Sequence, residues 1–457
     1  MHRPAGWIVG AGLLMAAGAA VIMTQPAASL TLAPGENPHP IHLRRPPVHP
    51  LSAMAKLGRL IFFDASLSSS GKMACASCHS PAHAYGPPNN QPAMMGGPTL
   101  ERQGVRAVPS LMYLERQPAF SVGPDNEEAE NVTLAQLVAR SRGTKRVQKT
   151  ATQTSQSATN MVPQGGLFWD GRADTLQDQA LIPLLNPLEM DGGSIDRVAG
   201  KLRRATYAKR FLQLFGASIF DNPRLAVTEA LFAVGRYQIE DQSFHPYTSK
   251  FDYWLEGKTR LSARELRGYR LFNDPKKADC GGCHVDKVGR DGLPPLFTDH
   301  QYEALGVPRN VALAANRDAR HFDLGICGPY RADMAKDTQY CGMFMTPTLR
   351  NVATRRVFFH NGIYHSLQQV LDFYDFRDTE PEKIYPHAAD DTVQKFNDLP
   401  PRYRKNIDTA DPPLNRKLGE TPAMTAQDKA DIIAFLKTLT DGYRPEPIRN
   451  LPPSRPE

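Results

Sequence analysis

Cys75-Ala76-Ser77-Cys78-His79 and, much later in the chain, Cys280-Gly281-Gly282-Cys283-His284 are two copies of one pattern, Cys-x-x-Cys-His. Two thiols three positions apart lie within one helical turn, so both can add to vinyl groups at one edge of a porphyrin while the adjacent imidazole binds the iron. Given 6 cysteines and 13 histidines, chance predicts roughly 0.002 such pentapeptides. The sequence therefore predicts two covalently bound c-type haems, attached through Cys75, Cys78, Cys280 and Cys283, with His79 and His284 as iron ligands.

The arrangement of the other cysteines bears on both metal chemistry and compartment. A zinc site would need a second pair of ligands close to each pentapeptide, and no further cysteine lies near either one. Cys327 and Cys341 are the two that remain. In an oxidising compartment they are readable as a disulfide, which would contribute about 3 kcal/mol in the chain-entropy model, and two free thiols are the alternative. We expect the disulfide.

The N-terminus indicates export to the periplasm. His2 and Arg3 precede an uncharged apolar run over residues 6–23 and small residues at 27–29, which is typical of a signal peptide over residues 1–29. The same run is long enough to remain as a single membrane anchor, so both alternatives stay open. In either case the folded body is expected to face the periplasm, where thioether attachment of haem and disulfide formation are both favoured.

The charge balance excludes one class of partner. The chain carries 54 basic and 47 acidic side chains, for a net charge of +7 and a pI near 9.0. No dense basic cluster with interleaved aromatic residues occurs, so we expect no nucleic-acid binding. An acidic protein partner stays open.

Length and the two pentapeptides predict two haem domains. The predicted organisation has a Pro-rich linker at 30–50, an N-terminal haem domain at 51–257 with a polar insertion at 125–164, a C-terminal haem domain at 258–443, and a tail at 444–457. Strand patterns are scarce, so the expected fold is mainly α, with two cytochrome c-like haem domains and long loops. The two pentapeptides have similar lead-ins, at residues 57–63 and 267–272, which suggests an internal duplication.

Apolar periodicity and capping residues locate the helices. Helices are predicted over residues 57–64, 175–185, 195–215, 223–239, 263–272, 367–376 and 425–439, with at most one short helix inside the insertion, at 134–139. Ser262 with Glu265, and Thr425 with Asp428, have the spacing of capping boxes. The segment 379–421 is rich in proline and charge, which predicts irregular wrapping.

The order of these blocks resembles the bacterial di-haem cytochrome c peroxidases, including the MauG-type enzymes, over about residues 57–443. The carriers of the resemblance are residues 57–64 with 75–79, Arg106 with 109–111, residues 168–172 with Gln179, Pro183 and 189–190, and then residues 280–284, 346–351 and 360–362.

The resemblance implies a role for each haem and for three side chains. The first haem binds peroxide, the second is an electron reservoir, and a tryptophan lies between them, which the match places at Trp169. The match also makes Gln179 the distal glutamine and Glu189 the catalytic glutamate. Cleavage of a bound O–O bond needs a group that moves a proton between the two oxygens and a donor that holds the peroxide, and a carboxylate and an amide suit these tasks.

Three departures from the family pattern carry information. Met95 stands where many members have a histidine that caps the first iron, so the first haem is expected to be open without activation, although Met94 or Met95 could be a thioether ligand. Tyr374 stands where many have a methionine ligand to the second iron, as in MauG-type enzymes, and a phenolate favours higher oxidation states. The family's interdomain calcium is uncertain, because its asparagine and threonine positions are Ala107 and Arg355.

Three functions follow in order of preference. The first is a periplasmic di-haem peroxidase that reduces hydrogen peroxide at the first haem with electrons relayed through the second, supplied by a small redox protein such as a cytochrome c or a cupredoxin. The second is a MauG- or MbnH-like enzyme that oxidises tryptophan or another residue in a partner protein. The third, from a different class, is an electron-transfer cytochrome without catalysis.

Overall fold

The computed structural model describes residues 33–124 and 161–446, and this part of the chain is mainly helical, as predicted. Its helices are α1 Ala53–Phe62, α2 Cys75–Cys78, α3 Leu176–Leu185, α4 Ile195–Arg204, α5 Ala208–Phe215, α6 Pro223–Glu240, α7 Lys250–Leu255, α8 Ala263–Phe272, α9 Leu367–Phe376 and α10 Ala426–Lys437. The described strands form three antiparallel pairs: β1 Met95–Gly96 with β2 Arg102–Gln103, β3 Ser121–Pro124 with β4 Met161–Gln164, and β5 Tyr302–Glu303 with β6 Phe344–Met345.

Side-chain caps determine where the helices begin. Both predicted capping boxes are present, Ser262 with Glu265 at α8 and Thr425 with Asp428 at α10. The first helix begins four residues before the predicted one, because the Ser52 hydroxyl accepts a hydrogen bond from the Ala55 amide. Such a cap satisfies a backbone donor that would otherwise lack a partner.

The prediction of one continuous helix over 195–215 is wrong, because this segment forms two separate helices, α4 and α5. The backbone of Ala205 is extended, and α5 starts only at Ala208. The break lets the Tyr207 hydroxyl donate to Asp64 at 2.5 Å and places the Phe211 ring fully inside the core. Two tertiary contacts thus outweigh a helical pattern that is continuous in sequence.

The last four residues of the predicted polar insertion at 125–164 form a strand, and the bounds of the insertion stay a prediction. Residues 161–164 form β4, which pairs with β3 so that Ser121 lies opposite Gln164. Residues 125–160, and with them the short helix predicted at 134–139, lie outside the described residues.

The Pro-rich segment is extended, as expected, but the described part of it packs on the body of the protein. The Gly35 carbonyl accepts from the Trp254 indole, the Ile41 amide donates to the Leu255 carbonyl, and Leu43 is buried. This segment is therefore an arm laid along the chain near residue 255 and not a free spacer. Segment 379–421 is irregular, with short 3₁₀ turns, as predicted.

The buried apolar side chains form two separate clusters. The first core takes its residues from positions 57–247, with Leu296 added, and the second core from positions 251–439. Each core lies behind one Cys-x-x-Cys-His pentapeptide. The domain boundary predicted at 257/258 falls just inside the second set, because Phe251 and Trp254 already belong to the second core, and it stays a prediction.

Each core is built around one close helix crossing at a glycine. Helix α1 packs on α6 at Gly58, where an added Cβ would lie 1.8 Å from the Ala233 carbonyl oxygen. Helix α8 packs on α10 at Gly268, where a Cβ would lie 1.9 Å from the Asp431 carbonyl oxygen. Both helices have ten residues, a serine N-cap, glycine at the sixth position and a buried phenylalanine at the tenth. The similar lead-ins thus have the same packing role in both halves.

Within residues 33–124 and 161–446, no helix is long and apolar enough to cross a membrane. The predicted export segment at 1–29 lies outside the described residues.

We predict that Gly58→Ala and Gly268→Ala each destabilise the protein by about 1–3 kcal/mol, because the added methyl group pushes two packed helices apart. Denaturant unfolding followed by circular dichroism measures the change. Gly200→Ala in α4 is the matched control: its Cβ would meet only the Arg204 guanidinium at 3.6 Å. There the alanine should stabilise by about 0.5–1 kcal/mol. Equal effects at all three positions would contradict the crossing assignment.

Candidate functional site

The first pentapeptide forms a single helical turn, α2, which ends at the predicted iron ligand. The His79 amide donates to the Cys75 carbonyl at 2.9 Å and closes the turn. The His79 Nδ1 lies 3.0 Å from the Tyr85 carbonyl oxygen, so Nδ1 must be the donor and carries the proton. Burial lowers the pKa of His79 to about 4. The ring is thus neutral, with its Nε2 lone pair available to a metal.

The second pentapeptide repeats this arrangement. The His284 amide donates to the Cys280 carbonyl at 2.8 Å, and the His284 Nδ1 donates to the Phe297 carbonyl at 3.0 Å. Burial lowers the pKa of His284 to about 4 and raises the pKa of Cys280 to about 12. Neither Tyr85 nor Phe297 was expected from the sequence, because each contributes only a backbone carbonyl and any residue type supplies one.

A large cavity opens in front of the second pentapeptide. Its lining includes Cys280, Cys283 and His284 together with Trp169, Gln179, Arg355, His360 and Tyr374. Three of the residues predicted for catalysis or metal binding are therefore brought to one space with the second haem motif. Cys75, Cys78, His79 and Glu189 lie outside this lining.

Tyr374 faces the second pentapeptide from helix α9. Burial raises its pKa, and the two thiols Cys283 and Cys280 raise it further. Its hydroxyl makes no hydrogen bond within the described part of the chain, although the side chain lines the cavity. A phenol placed in this way is available to a metal at that site.

The indole of Trp169 is held in place by its own tight loop. Its Nε1 donates to the Ala107 carbonyl at 2.8 Å, and its carbonyl accepts from the Met345 amide at 3.0 Å. The loop turns at Gly171, where φ is +67° and a Cβ would lie 2.2 Å from the Tyr302 hydroxyl. A residue with a side chain would be strained at this positive φ and would clash with the Tyr302 hydroxyl, so glycine is required.

Asp170, the next residue, is fully buried and lies at the centre of a network of ion pairs. It accepts from Arg106 at 2.7 Å and from Arg172 at 2.8 Å, while Arg106 also binds Asp323 at 2.6 Å. Asp323 lies far from Arg106 in sequence, and nothing in the local pattern around it indicated this pairing. The network ties the Trp169 loop to two distant parts of the chain.

Glu189 lies near the first pentapeptide, since the carbonyl of the next residue, Met190, accepts from the Ser69 amide at 3.0 Å. Burial raises its pKa, and this is opposed by the Arg172 charge and by a hydrogen bond from the Asn186 amide to Oε1 at 2.9 Å. Burial raises the pKa of Cys78 to about 12, and the negative charge of Glu189 contributes in the same direction. Gln179, by contrast, is buried on the wall of the cavity in front of the second pentapeptide.

Cys327 and Cys341 are joined in a disulfide, with their Cα atoms 5.0 Å apart. Asp323, Gly342 and Phe344, which flank the bridged loop, line the cavity. The bridge therefore holds one wall of that cavity.

Both haem motifs fit the group that they predict. In each, two thiols and a neutral imidazole come together, and the imidazole N–H donates to a backbone carbonyl.

His360 supports an occupant with polar groups in the cavity, because its ring stacks on Phe344 at 3.5 Å and its buried Nε2 has no hydrogen-bond partner in the described residues. Buried polar atoms of this kind are rarely left without a partner. Asp398 lies 4.0 Å from that nitrogen, and burial raises its pKa to about 7.

These features define a helical oxidoreductase that binds two covalent haems, and comparison with known proteins names the family. A family model described as di-haem cytochrome c peroxidase matches residues 52–260. Over 405 residues the chain is 30% identical to the methylamine utilization protein MauG of Paracoccus denitrificans (strain Pd 1222), covering 87% of this chain and 90% of that protein. The chain therefore belongs to the di-haem cytochrome c peroxidase family.

Two further comparisons agree. The cytochrome c551 peroxidase of Nitrosomonas europaea is 28% identical over 418 residues, which cover 89% of this chain and 88% of that one. The structure of the diheme peroxidase BthA from Burkholderia thailandensis E264 is similar with a TM-score of 0.72 and 34% identity, over 86% of this chain and 87% of that chain. The resemblance inferred from the sequence is confirmed, as is the assignment of the protein as an enzyme of this family with two c-type haems.

We predict that Asp170→Asn destabilises the protein by about 3–5 kcal/mol, because it leaves the buried Arg106 with one charged partner fewer. Asp333→Asn is the matched control: Asp333 pairs with Arg331 at 2.7 Å, but its side chain is 64% exposed. Loss of that pair should change the stability by about 1 kcal/mol or less. Denaturant unfolding measures both, and equal losses would argue against a structural role for the buried network.

Proposed function

We propose that this protein reduces hydrogen peroxide at the haem held by Cys75, Cys78 and His79, with electrons passing through the haem held by Cys280, Cys283 and His284. The observation that carries this proposal is the position of Glu189. Its carboxylate lies close enough to Cys78 to influence that thiol electrostatically, and burial raises its own pKa. A carboxyl group with a raised pKa beside one haem motif is suited to move protons there.

Glu189 can accept and return a proton because, among the described residues, only one of its oxygens accepts a hydrogen bond. Asn186 donates to Oε1 and sets the orientation of the carboxyl group, which leaves Oε2 for the proton. When bound, the haem supplies an iron that takes up peroxide and accepts its oxidising equivalents. In this proposal Glu189 removes the proton from the inner oxygen of peroxide and delivers it to the outer, leaving oxygen.

Trp169 is proposed to connect the two haem sites. Its indole lines the cavity of the second pentapeptide and binds the Ala107 carbonyl. Two residues further on, the Pro109 carbonyl interacts with His79. A short stretch of backbone therefore lies between the tryptophan and the first iron ligand, which supports a role in transfer between two cytochrome c-like haem domains. Gln179 lines this same cavity. We therefore place its side chain near Trp169 and not in direct contact with peroxide.

Tyr374 favours a second candidate function, the oxidation of a residue in a partner protein. The phenol faces the second haem motif and has no other hydrogen-bond partner in the described residues. A hard oxygen ligand would stabilise the oxidised second haem and make it a poor acceptor from a cytochrome. The name of the relative in Paracoccus denitrificans, a methylamine utilization protein, supports this branch.

The partner and the location complete the proposal. A small redox protein such as a cytochrome c or a cupredoxin would supply electrons in the first candidate, and a protein substrate would replace it in the second. We place the enzyme in the periplasm, on the basis of the export signal predicted at 1–29.

We predict that Glu189→Gln slows the reaction with hydrogen peroxide by about 100-fold or more, since the amide keeps the shape but cannot accept the proton. The acting form is the carboxylate, so the wild-type rate should fall as the pH falls through the pKa of Glu189. Burial raises this pKa, and the fall should therefore begin above the usual range of about 4.3 for glutamate.

Stopped-flow spectroscopy across pH tests this prediction. Glu382→Gln changes an exposed carboxyl group in the second half and is the control. If Glu189→Gln keeps the wild-type rate and the same acid limb, another group moves the proton.

We predict that Tyr374→Met raises the midpoint potential of the second haem by on the order of 0.1 V and speeds the oxidation of reduced cytochrome c, because a thioether favours the reduced iron. A redox titration beside steady-state turnover measures both. Tyr374→Phe and Tyr364→Phe form a matched pair, since the buried Tyr364 hydroxyl has no hydrogen-bond partner among the described residues and its side chain does not line the cavity. A wild-type second haem that already has a high potential would defeat the tyrosine-ligand assignment.

A further inference from the structure

Members of this family are expected to hold a calcium ion between their two halves, and the residues here do not fit one. Ala107 and Arg355 stand at the two positions that would supply an asparagine and a threonine. Ala107 has no side-chain oxygen, and Arg355 brings a positive charge. In the described ranges, no group of three or more His, Cys, Asp or Glu side chains could hold a metal ion.

The Arg355 guanidinium is held by the kind of ligand that a hard cation uses. Its Nη2 donates to the Val108 carbonyl at 3.0 Å, and its Nε donates toward the Val357 carbonyl at 3.3 Å. Its Nη1 lies 3.5 Å from the place where a Cβ on Gly86 would stand. No carboxylate within the described residues pairs with it. Backbone carbonyl oxygens around a cation are typical of calcium sites.

These contacts join two segments that meet beside the haem motifs. Val108 belongs to residues 106–109, which also accept the Trp169 indole at Ala107. Val357 belongs to residues 355–360, whose His360 carbonyl accepts from the Ala107 amide at 2.8 Å. A cation at this point therefore fixes the segment that positions Trp169.

The charge of Arg355 reaches the first iron ligand. Burial lowers the pKa of Arg355 to about 10, so the group is still positive at neutral pH. The guanidinium lies near that ligand, because its Nη1 stands 3.5 Å from the place where a Cβ on Gly86 would lie, and the carbonyl of the adjacent Tyr85 accepts from the His79 Nδ1 at 3.0 Å. A positive charge disfavours a second positive charge nearby. By the same reasoning it disfavours the ferric form of an iron bound there.

We propose that the Arg355 guanidinium replaces a divalent cation at the junction of residues 106–109 and 355–360, so that the Trp169 geometry and the potential of the first haem do not depend on calcium. A tethered cation cannot dissociate and needs no supply of metal. The proposal uses the His79 haem only as its reporter and does not depend on which electron donor or protein substrate the enzyme uses.

The first experiment uses the wild-type holoenzyme. Elemental analysis after dialysis should find less than one calcium per ten chains, and neither EGTA nor added calcium chloride should change the haem spectra, the melting temperature or the peroxide rate. One tightly held calcium per chain, or a change in any of these properties with EGTA that calcium reverses, would overturn the proposal.

The second experiment tests the charge itself. Arg355→Met keeps most of the volume and removes the cation, Arg355→Lys keeps the cation, and Arg356→Met removes an exposed arginine from the next position. Arg355→Met should favour the ferric form of the first haem roughly tenfold, a potential lower by about 59 mV for one electron. Arg355→Lys and Arg356→Met should stay near the wild-type value.

A purely structural role for Arg355 would lower the melting temperature in the Met variant without this shift in potential. Equal first-haem potentials in Arg355→Met and Arg356→Met would therefore overturn the electrostatic part of the proposal. If the Met variant does not fold, the Lys variant decides: a potential well below the wild-type value there would contradict the replacement of one cation by another.

Discussion

The ion network around Asp170 is the interaction on which the centre of this structure depends. A carboxylate with no exposure to solvent is tolerable only when positive charges and hydrogen bonds replace its water, and here Arg106 and Arg172 do so at 2.7 and 2.8 Å. Because Asp170 follows Trp169 directly, whatever holds the carboxylate also holds the indole. Arg106 reaches on to Asp323, and the disulfide that follows braces the same wall of the cavity. The position of one aromatic ring thus rests on charges drawn from three parts of the chain.

The two halves of the molecule use the same physical solution to present a haem-binding motif. In each, a helix of ten residues crosses its partner at a glycine close enough for backbone contact, and a phenylalanine at its end enters the core. In each, a histidine donates Nδ1–H to a backbone carbonyl and keeps Nε2 for the metal. This hydrogen bond sets the tautomer and the ring orientation before any ligand binds. The halves differ in the side chain that lies near each motif, Glu189 near the first and Tyr374 near the second, and this difference underlies the separate roles that we propose.

Local patterns predicted much of this fold, and they failed where distant contacts decided the outcome. The capping pairs Ser262–Glu265 and Thr425–Asp428 were read from spacing alone, because a cap needs only residues three apart. The continuous helix expected over 195–215 was wrong because Tyr207 binds Asp64, more than a hundred residues away. The Pro-rich segment was correctly expected to be extended, but its packing against Trp254 depends on a backbone carbonyl that composition does not reveal. Asp323 was missed for the same reason, since its partner Arg106 lies in the other half of the chain.

The sequence by itself determined the covalent chemistry. Two Cys-x-x-Cys-His pentapeptides define two haems, because thioether attachment and axial ligation need only five consecutive residues in one helical turn. It also placed Trp169, Glu189 and Tyr374 as candidates through the order of the family's motifs. Only the tertiary structure decided which of them share a space, so that Trp169, Gln179 and Tyr374 line the cavity of the second motif while Glu189 lies beside the first. It alone showed that Arg355 turns inward onto carbonyl oxygens. The physical reason is that burial and electrostatic environment are properties of groups brought together from distant positions, and no local pattern encodes them.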